Sequence, residues 1–171
     1  MQGRQPVKIL TSILMASIVA LTASRANSTN PDLYPDPTQA HADVSAALKM
    51  AAHTHKRVLL DFGGNWCGDC QVLDIYFHNE QNRPILDANF VLVHVNVGHY
   101  DANLPLADLY KIPLKKGVPE LAVLSPGGKL LYVTEGAEFE SMRKVDPSAV
   151  TAFLVKWKPS KPGCSVMMTT C

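Results

Sequence analysis

A chain of 171 residues, 47% hydrophobic and 18% charged, has ordinary globular composition and room for one domain with a sizeable core. Its formal charge of +1 carries no electrostatic case for nucleic-acid binding. In chain order, residues 1–26 come first and stand apart. Arg4 and Lys8 precede the apolar stretch 9–21, small residues follow at Ala23, Ser24 and Ala26, and no acidic residue occurs. This reads as a secretory signal peptide cut near Ala26. The alternative is a membrane anchor, but about 13 apolar residues fall short of the ~20 that span a bilayer. Cleavage would remove Arg4, Lys8 and Arg25, leaving 13 basic and 15 acidic residues and a net charge of −2.

Residues 27–40, with Pro31, Pro35 and Pro37, read as an extended leader joined to a domain at 41–158. A helix is expected over 42–53, where Val44, Ala47, Leu48 and Ala51 share one face. The run Val58-Leu59-Leu60-Asp61-Phe62 reads as a buried strand, Gly63-Gly64-Asn65 as a turn, and 71–77 continues at helical spacing. A short helix at 83–88 follows, then a valine-rich strand at 90–97 and a helix at 102–110. Residues 120–125 and 129–134 form a hairpin across Pro126-Gly127-Gly128, and 147–157 is a closing helix. The order is αβαβαββα, without internal repeats. Residues 159–171 form a tail containing Cys164 and Cys171.

Trp66-Cys67-Gly68-Asp69-Cys70 sits at the strand-to-helix corner. Two thiols separated by two residues can close a small disulfide ring, and a helix N-terminus stabilises the first as a thiolate. The same spacing supplies half of many zinc sites. Six histidines keep that option in view, yet His53 and His55 fall on different helical faces. Cys164 and Cys171, with six residues between them, lie outside the usual two-to-four spacing. No metal site is therefore expected. The tail cysteines read as a structural pair, with an accessory dithiol as the functional alternative.

Asp61-Phe62, three intervening residues and then Trp66-Cys67-Gly68-x-Cys70 resemble the active-site stretch of thioredoxins. Gly117-Val118-Pro119 before a strand resembles their cis-proline loop. The similarity spans about 42–157 and is closest to exported bacterial thioredoxin-like proteins with an N-terminal helical extension. It implies an α/β thioredoxin-like fold with a central mixed sheet flanked by helices. It also implies a monomeric thiol:disulfide oxidoreductase of the periplasm, with no cofactor beyond the Cys67-Cys70 disulfide. Partners would be exported disulfide substrates and a membrane or soluble thiol electron donor. Carried over by position, Cys67 is the exposed attacking thiol and Cys70 the buried resolving thiol, whose proton Asp61 accepts. Trp66, Gly68, Asp69, Val118 and a cis-bonded Pro119 shape the substrate groove.

Alternatives remain at several of these positions. Asp61 reads otherwise as a solvated strand-end acid, Trp66 as a core aromatic and Pro119 as an ordinary turn proline. If buried, Asp61 must take up a proton or find a partner. His94 falls on the strand expected beside it, where thioredoxins often carry a lysine, although a buried neutral histidine fits equally. The chain departs from the thioredoxin pattern in having Gly68-Asp69 between the cysteines where Gly-Pro is usual. A carboxylate ~4 Å from a thiolate costs it ~1 kcal/mol in water, which disfavours the thiolate and points to a reductant. The competing view is that Asp69 faces solvent and changes little. Two function classes follow: an exchange enzyme, or a non-catalytic binding module whose Cys67-Cys70 pair is a structural disulfide.

Overall fold

A computed structural model describes residues 32–136, 138–139 and 141–160. The expected signal peptide, residues 27–31 of the leader, and Cys164 and Cys171 lie outside the described residues.

Four strands make one mixed sheet in the order β2-β1-β3-β4: β1 (Arg57–Gly63), β2 (Phe90–Asn96), β3 (Glu120–Leu124) and β4 (Leu130–Val133). β2 runs parallel to β1, with Asp61 opposite His94, whereas β3 is antiparallel to β1 and β4 to β3. Every residue of β1 from Val58 onward is buried, which is why its sequence is a nearly unbroken apolar run instead of an alternating one.

Five helices cover the sheet: α1 (Ala40–Thr54), α2 (Gly68–Phe77), α3 (Arg83–Asn89), α4 (Leu104–Leu109) and α5 (Pro147–Trp157). Alternation along the strands splits the apolar residues into two layers. Val58, Leu60 and Phe62 pack with Val44, Ala47 and Ala51 of α1. Leu59 and Leu121 pack with Leu73 and Phe77 of α2 and Phe153 and Leu154 of α5. Asp61 follows the Leu59 parity and is therefore the polar interruption of an otherwise apolar face. The architecture is the expected α/β one, and the N-terminal helix is present. Among the described residues no helix is long and apolar enough to cross a membrane.

Several boundaries differ from expectation for local reasons. Pro37–Gln39 is already a 3-10 turn, capped by Asp36, whose Oδ1 accepts from Thr38 N at 2.9 Å, so the helix starts inside the expected leader. The short helix expected at 83–88 is present as α3, one residue longer, and buried Asn82 separates it from α2. Its amide donates to Tyr76 O at 2.8 Å and accepts from Thr151 Oγ1 at 2.6 Å. α4 is shorter than 102–110 because Asn103 adopts φ 54°, a left-handed conformation that ends helical propagation backward. Its Nδ2 ties Asn96 O at 2.7 Å to Pro37 O at 2.9 Å.

Candidate active site

β1 ends in Gly63, and the chain turns through Gly64, Asn65 and Trp66 so that Cys67 N donates to Gly64 O at 2.9 Å. A Cβ on Gly64 would stand 2.7 Å from Trp66 Nε1, so a larger residue there would displace the indole. Cys67 then caps α2: its backbone is extended and its Sγ accepts from Cys70 N at 3.1 Å. Cys67 and Cys70 are joined as a disulfide. On reduction, the same N–H and the positive end of the helix would face the Cys67 sulfur and favour its thiolate.

The two sulfurs are unequally accessible. Cys70 is completely buried and Cys67 keeps 6% of its surface, so Cys67 is less open than expected, though it remains the accessible one. What covers it comes from far along the chain. The Val118 carbonyl oxygen lies 3.7 Å from Cys67 Sγ, a contact that becomes a hydrogen bond only when the sulfur carries a proton. The Val118-Pro119 bond is cis, as the resemblance implies.

Trp66 is 45% exposed, which excludes the core-aromatic reading. Its Nε1 donates to Gly98 O at 2.6 Å and its ring stacks on His99 at 5.4 Å, with Tyr100 tilted against it at 5.5 Å. An exposed aromatic platform therefore flanks the disulfide. Beyond it opens a groove of about 820 Å³, lined by Tyr100, Leu104, Ile112, Leu114, Lys116 and Gly117 among others.

Gly68 is exposed and Asp69 partly buried in the first turn of α2. A Cβ on Gly68 would meet Arg143 Nη2 at 3.1 Å. A guanidinium thus lies over the helix start, where its charge opposes the influence of Asp69 on the neighbouring sulfur. Nothing in the sequence marked Arg143, which is 73 residues beyond Cys70.

Behind Cys70 the environment is closed and polar. Asp61 is fully buried, which removes the solvated-acid reading. Its Oδ2 accepts from Tyr34 Oη at 2.7 Å and from His94 Nδ1 at 2.9 Å. An ionised carboxylate has no proton to give, so this geometry requires the His94 proton on Nδ1. His94 Nε2 faces Asp74 Oδ1 at 3.6 Å, and Asp74 also pairs with His78 Nδ1 at 3.0 Å. Hydrogen bonding with Asp74 holds His78 above its ordinary value. Burial, and then the charge of Asp61, pushes the Tyr34 phenol well above its own. Asp61 Oδ1 is buried and has no hydrogen-bond partner among the described residues.

The sequence singled out Asp61 and His94 but missed Tyr34, Asp74 and Glu120. Glu120 directly follows Pro119, is buried, and accepts from Thr134 Oγ1. A charged residue within the apolar strand 120–124 was the signal available for it. Among the described residues no three His, Cys, Asp or Glu side chains cluster as a metal site.

Comparison with known proteins places these features in context. A family model described as thioredoxin-like matches residues 39–126. A disulphide isomerase from Xylella fastidiosa Temecula1 is similar over 72% of this chain and 95% of its own, at 35% identity and a TM-score of 0.69. The oxidised C-terminal domain of Neisseria meningitidis DsbD shares the fold. It is 20% identical with a TM-score of 0.52, covering 73% of this chain and 98% of that one. Among curated proteins no sequence matches.

Proposed function

We propose, from the premise that this chain belongs to the thioredoxin-like family of disulfide oxidoreductases, that it exchanges disulfides in exported proteins through Cys67 and Cys70, working as a reductant. The observation that carries this reading is the asymmetry of the pair. Cys67 caps a helix beside an open aromatic platform, while Cys70 is sealed close to a phenol that is hydrogen-bonded to a buried carboxylate. A structural disulfide in a binding module needs neither.

In the reductive direction the Cys67 thiolate attacks a substrate disulfide, forming a mixed disulfide and releasing one substrate thiolate. Cys70 then gives up its proton and attacks Cys67 Sγ, which frees the second substrate sulfur and closes the Cys67-Cys70 bond. Asp61 accepts the proton that Cys70 loses. Substrate binds as an extended segment against Val118-Pro119, with side chains reaching the groove beside Tyr100 and Ile112. Trp66, Gly68 and Asp69 form the near wall. The working form is a periplasmic monomer without cofactor, and a membrane or soluble thiol donor re-reduces it.

A second reading, isomerisation, is favoured by the 35% identity to a protein described as a disulphide isomerase. Both routes begin with the Cys67 thiolate. They differ in whether Cys70 or a substrate thiol resolves the mixed disulfide.

The deciding experiment is the reduction potential of the Cys67-Cys70 couple, by equilibration with glutathione in a variant lacking Cys164 and Cys171. A value near about −270 mV is expected for a reductant. A value near −120 to −180 mV, roughly the range of oxidants and isomerases, overturns the reductive assignment. Insulin reduction by dithiothreitol no faster than with Cys67→Ser would overturn the enzyme reading itself.

A further inference from the structure

The buried acid that the exchange reaction uses is reached by a residue from outside the domain expected at 41–158. Tyr34 belongs to the leader, yet only 2% of its surface is exposed. Three asparagines clip the leader down. Tyr34 N donates to Asn65 Oδ1 at 2.8 Å while Asn65 Nδ2 donates back to Tyr34 O at 2.9 Å. Asn96 and Asn103 hold Pro35 O and Pro37 O, each at 2.9 Å. A strap fastened at successive carbonyls fixes the ring where it enters.

A buried tyrosine often only fills space, but here the hydroxyl is aimed. A Cβ on Gly63 would stand 2.3 Å from Tyr34 Oη and 2.8 Å from Cys70 Sγ. The phenol oxygen and the resolving sulfur therefore border the same small space, which exists because residue 63 has no side chain. On its other side the hydroxyl donates to Asp61 Oδ2 at 2.7 Å.

We propose that Tyr34 is a proton-relaying residue for Cys70, its hydroxyl linking the buried sulfur to the Asp61 carboxylate, which His94 Nδ1 holds from its other side. This rests on the exchange function proposed above. A hydroxyl accepts one proton on a lone pair while donating its own, so the relay needs no charged phenolate. Burial keeps the phenol protonated throughout the working range. The Cys70 S–H proton passes to Tyr34 Oη, the Tyr34 proton passes to Asp61, and the sulfur lone pair forms the bond to Cys67 Sγ. The Cys67–substrate S–S bond breaks, and the substrate thiolate takes a proton from water. Asp61 then holds the proton beside His94, whose Nδ1 already carries one and which lines a cleft of about 310 Å³ with Pro35, Asp43 and Met50.

The titratable groups facing this path are Asp61 on β1, His94 on β2, Cys70 and Asp74 on α2, and Asp43 on α1 across the cleft. The His94 and Tyr34 rings also pack edge to face, their centroids 5.2 Å apart, so one histidine meets both members of the hydroxyl–carboxylate pair.

The test is Tyr34→Phe in the full chain, with the two half-reactions read separately. Alkylation of reduced Cys67 by iodoacetamide should be unchanged, because that sulfur is served by the helix. Resolution of a preformed Cys67–glutathione mixed disulfide should slow by about tenfold to a hundredfold at pH 7. It should recover above about pH 9, where a thiol ionises unaided. A resolution profile identical to wild type from pH 6 to 9 overturns the relay. Should Tyr34→Phe fail to fold, 3-fluorotyrosine at position 34 acidifies the phenol in place. A shifted resolution profile supports the relay and an unshifted one overturns it. If the wild-type protein itself shows no Cys67-dependent insulin reduction, the enzyme reading fails separately. NMR titration of Cys70 in the reduced protein still decides, since an unaltered titration in Tyr34→Phe removes Tyr34 from the proton path and a raised one retains it.

Discussion

The two sulfurs of one disulfide sit in opposite surroundings. On the Cys67 side lie an exposed indole stacked on His99, a carbonyl from the Val118 loop and the Arg143 guanidinium over Gly68. On the Cys70 side lie a buried carboxylate, a phenol and a histidine, each hydrogen-bonded to another of the set. The difference follows from what each sulfur must do. An attacking thiolate needs access and a stabilised charge, whereas a resolving thiol needs somewhere to put a proton without admitting water.

The largest expected effect separates the two sides outright. Cys67→Ser and Cys70→Ser should both reduce insulin turnover to the uncatalysed background. Only Cys70→Ser should accumulate a mixed disulfide, visible by non-reducing electrophoresis or mass spectrometry. Equal trapping by both variants would break the comparison, because the roles would then be interchangeable.

Next comes the proton side alone. Asp61→Asn keeps shape and removes the acceptor, so the resolving step should slow by roughly a hundredfold at pH 7. The deficit should shrink as pH rises past the ordinary thiol value of about 8.5. A pH-independent deficit, measured by stopped-flow resolution of the mixed disulfide, would make Asp61 a packing residue.

A smaller pair of changes sharpens the attacking side. Arg143→Ala removes a positive charge near the sulfur and should move the midpoint of Cys67 alkylation upward by less than one pH unit. Asp69→Asn should move it downward by a similar amount. Both effects should fade in high salt, since both groups retain solvent contact. Midpoints moving the same way would show that charge is not what these residues contribute.

The smallest effect serves as a control far from either sulfur. Asp146 caps α5, its Oδ1 accepting from Ser148 N at 2.8 Å, and this hydrogen bonding lowers its pKa below 3.8. A lowered folded value means the cap is fully effective above about pH 4 and is lost as pH falls through the folded value. Asp146→Ala should therefore lower the melting temperature by a few °C at pH 7 and by nothing once the acid is protonated. Both half-reactions should be unchanged.

Much of this organisation is legible in the sequence. The strand at β1, the glycine turn and the helix carrying Cys70 follow from local periodicity and turn chemistry, and boundaries moved only where a single residue intervened, as at Asn103. Asp61 was identifiable because a charged residue in an apolar strand has few reasons to be there, and His94 because strand pairing could be anticipated. Trp66 could be assigned to the site by its place beside Cys67, but its exposure depends on the Gly98 carbonyl, 32 residues away. Tyr34 had no signal, since an aromatic in a proline-rich leader gives no hint of where its hydroxyl will end.

What the sequence determined by itself was the element order, the redox pair at a helix start and the polar interruption of β1, because each is encoded within a few covalently adjacent residues. Tertiary structure alone decided what surrounds each sulfur. Tyr34 reaches Asp61 across 27 residues, His94 across 33, and the Val118 carbonyl reaches Cys67 across 51. Such contacts depend on how the strap, the sheet register and the proline loop close on one another, and periodicity along the chain carries no record of that.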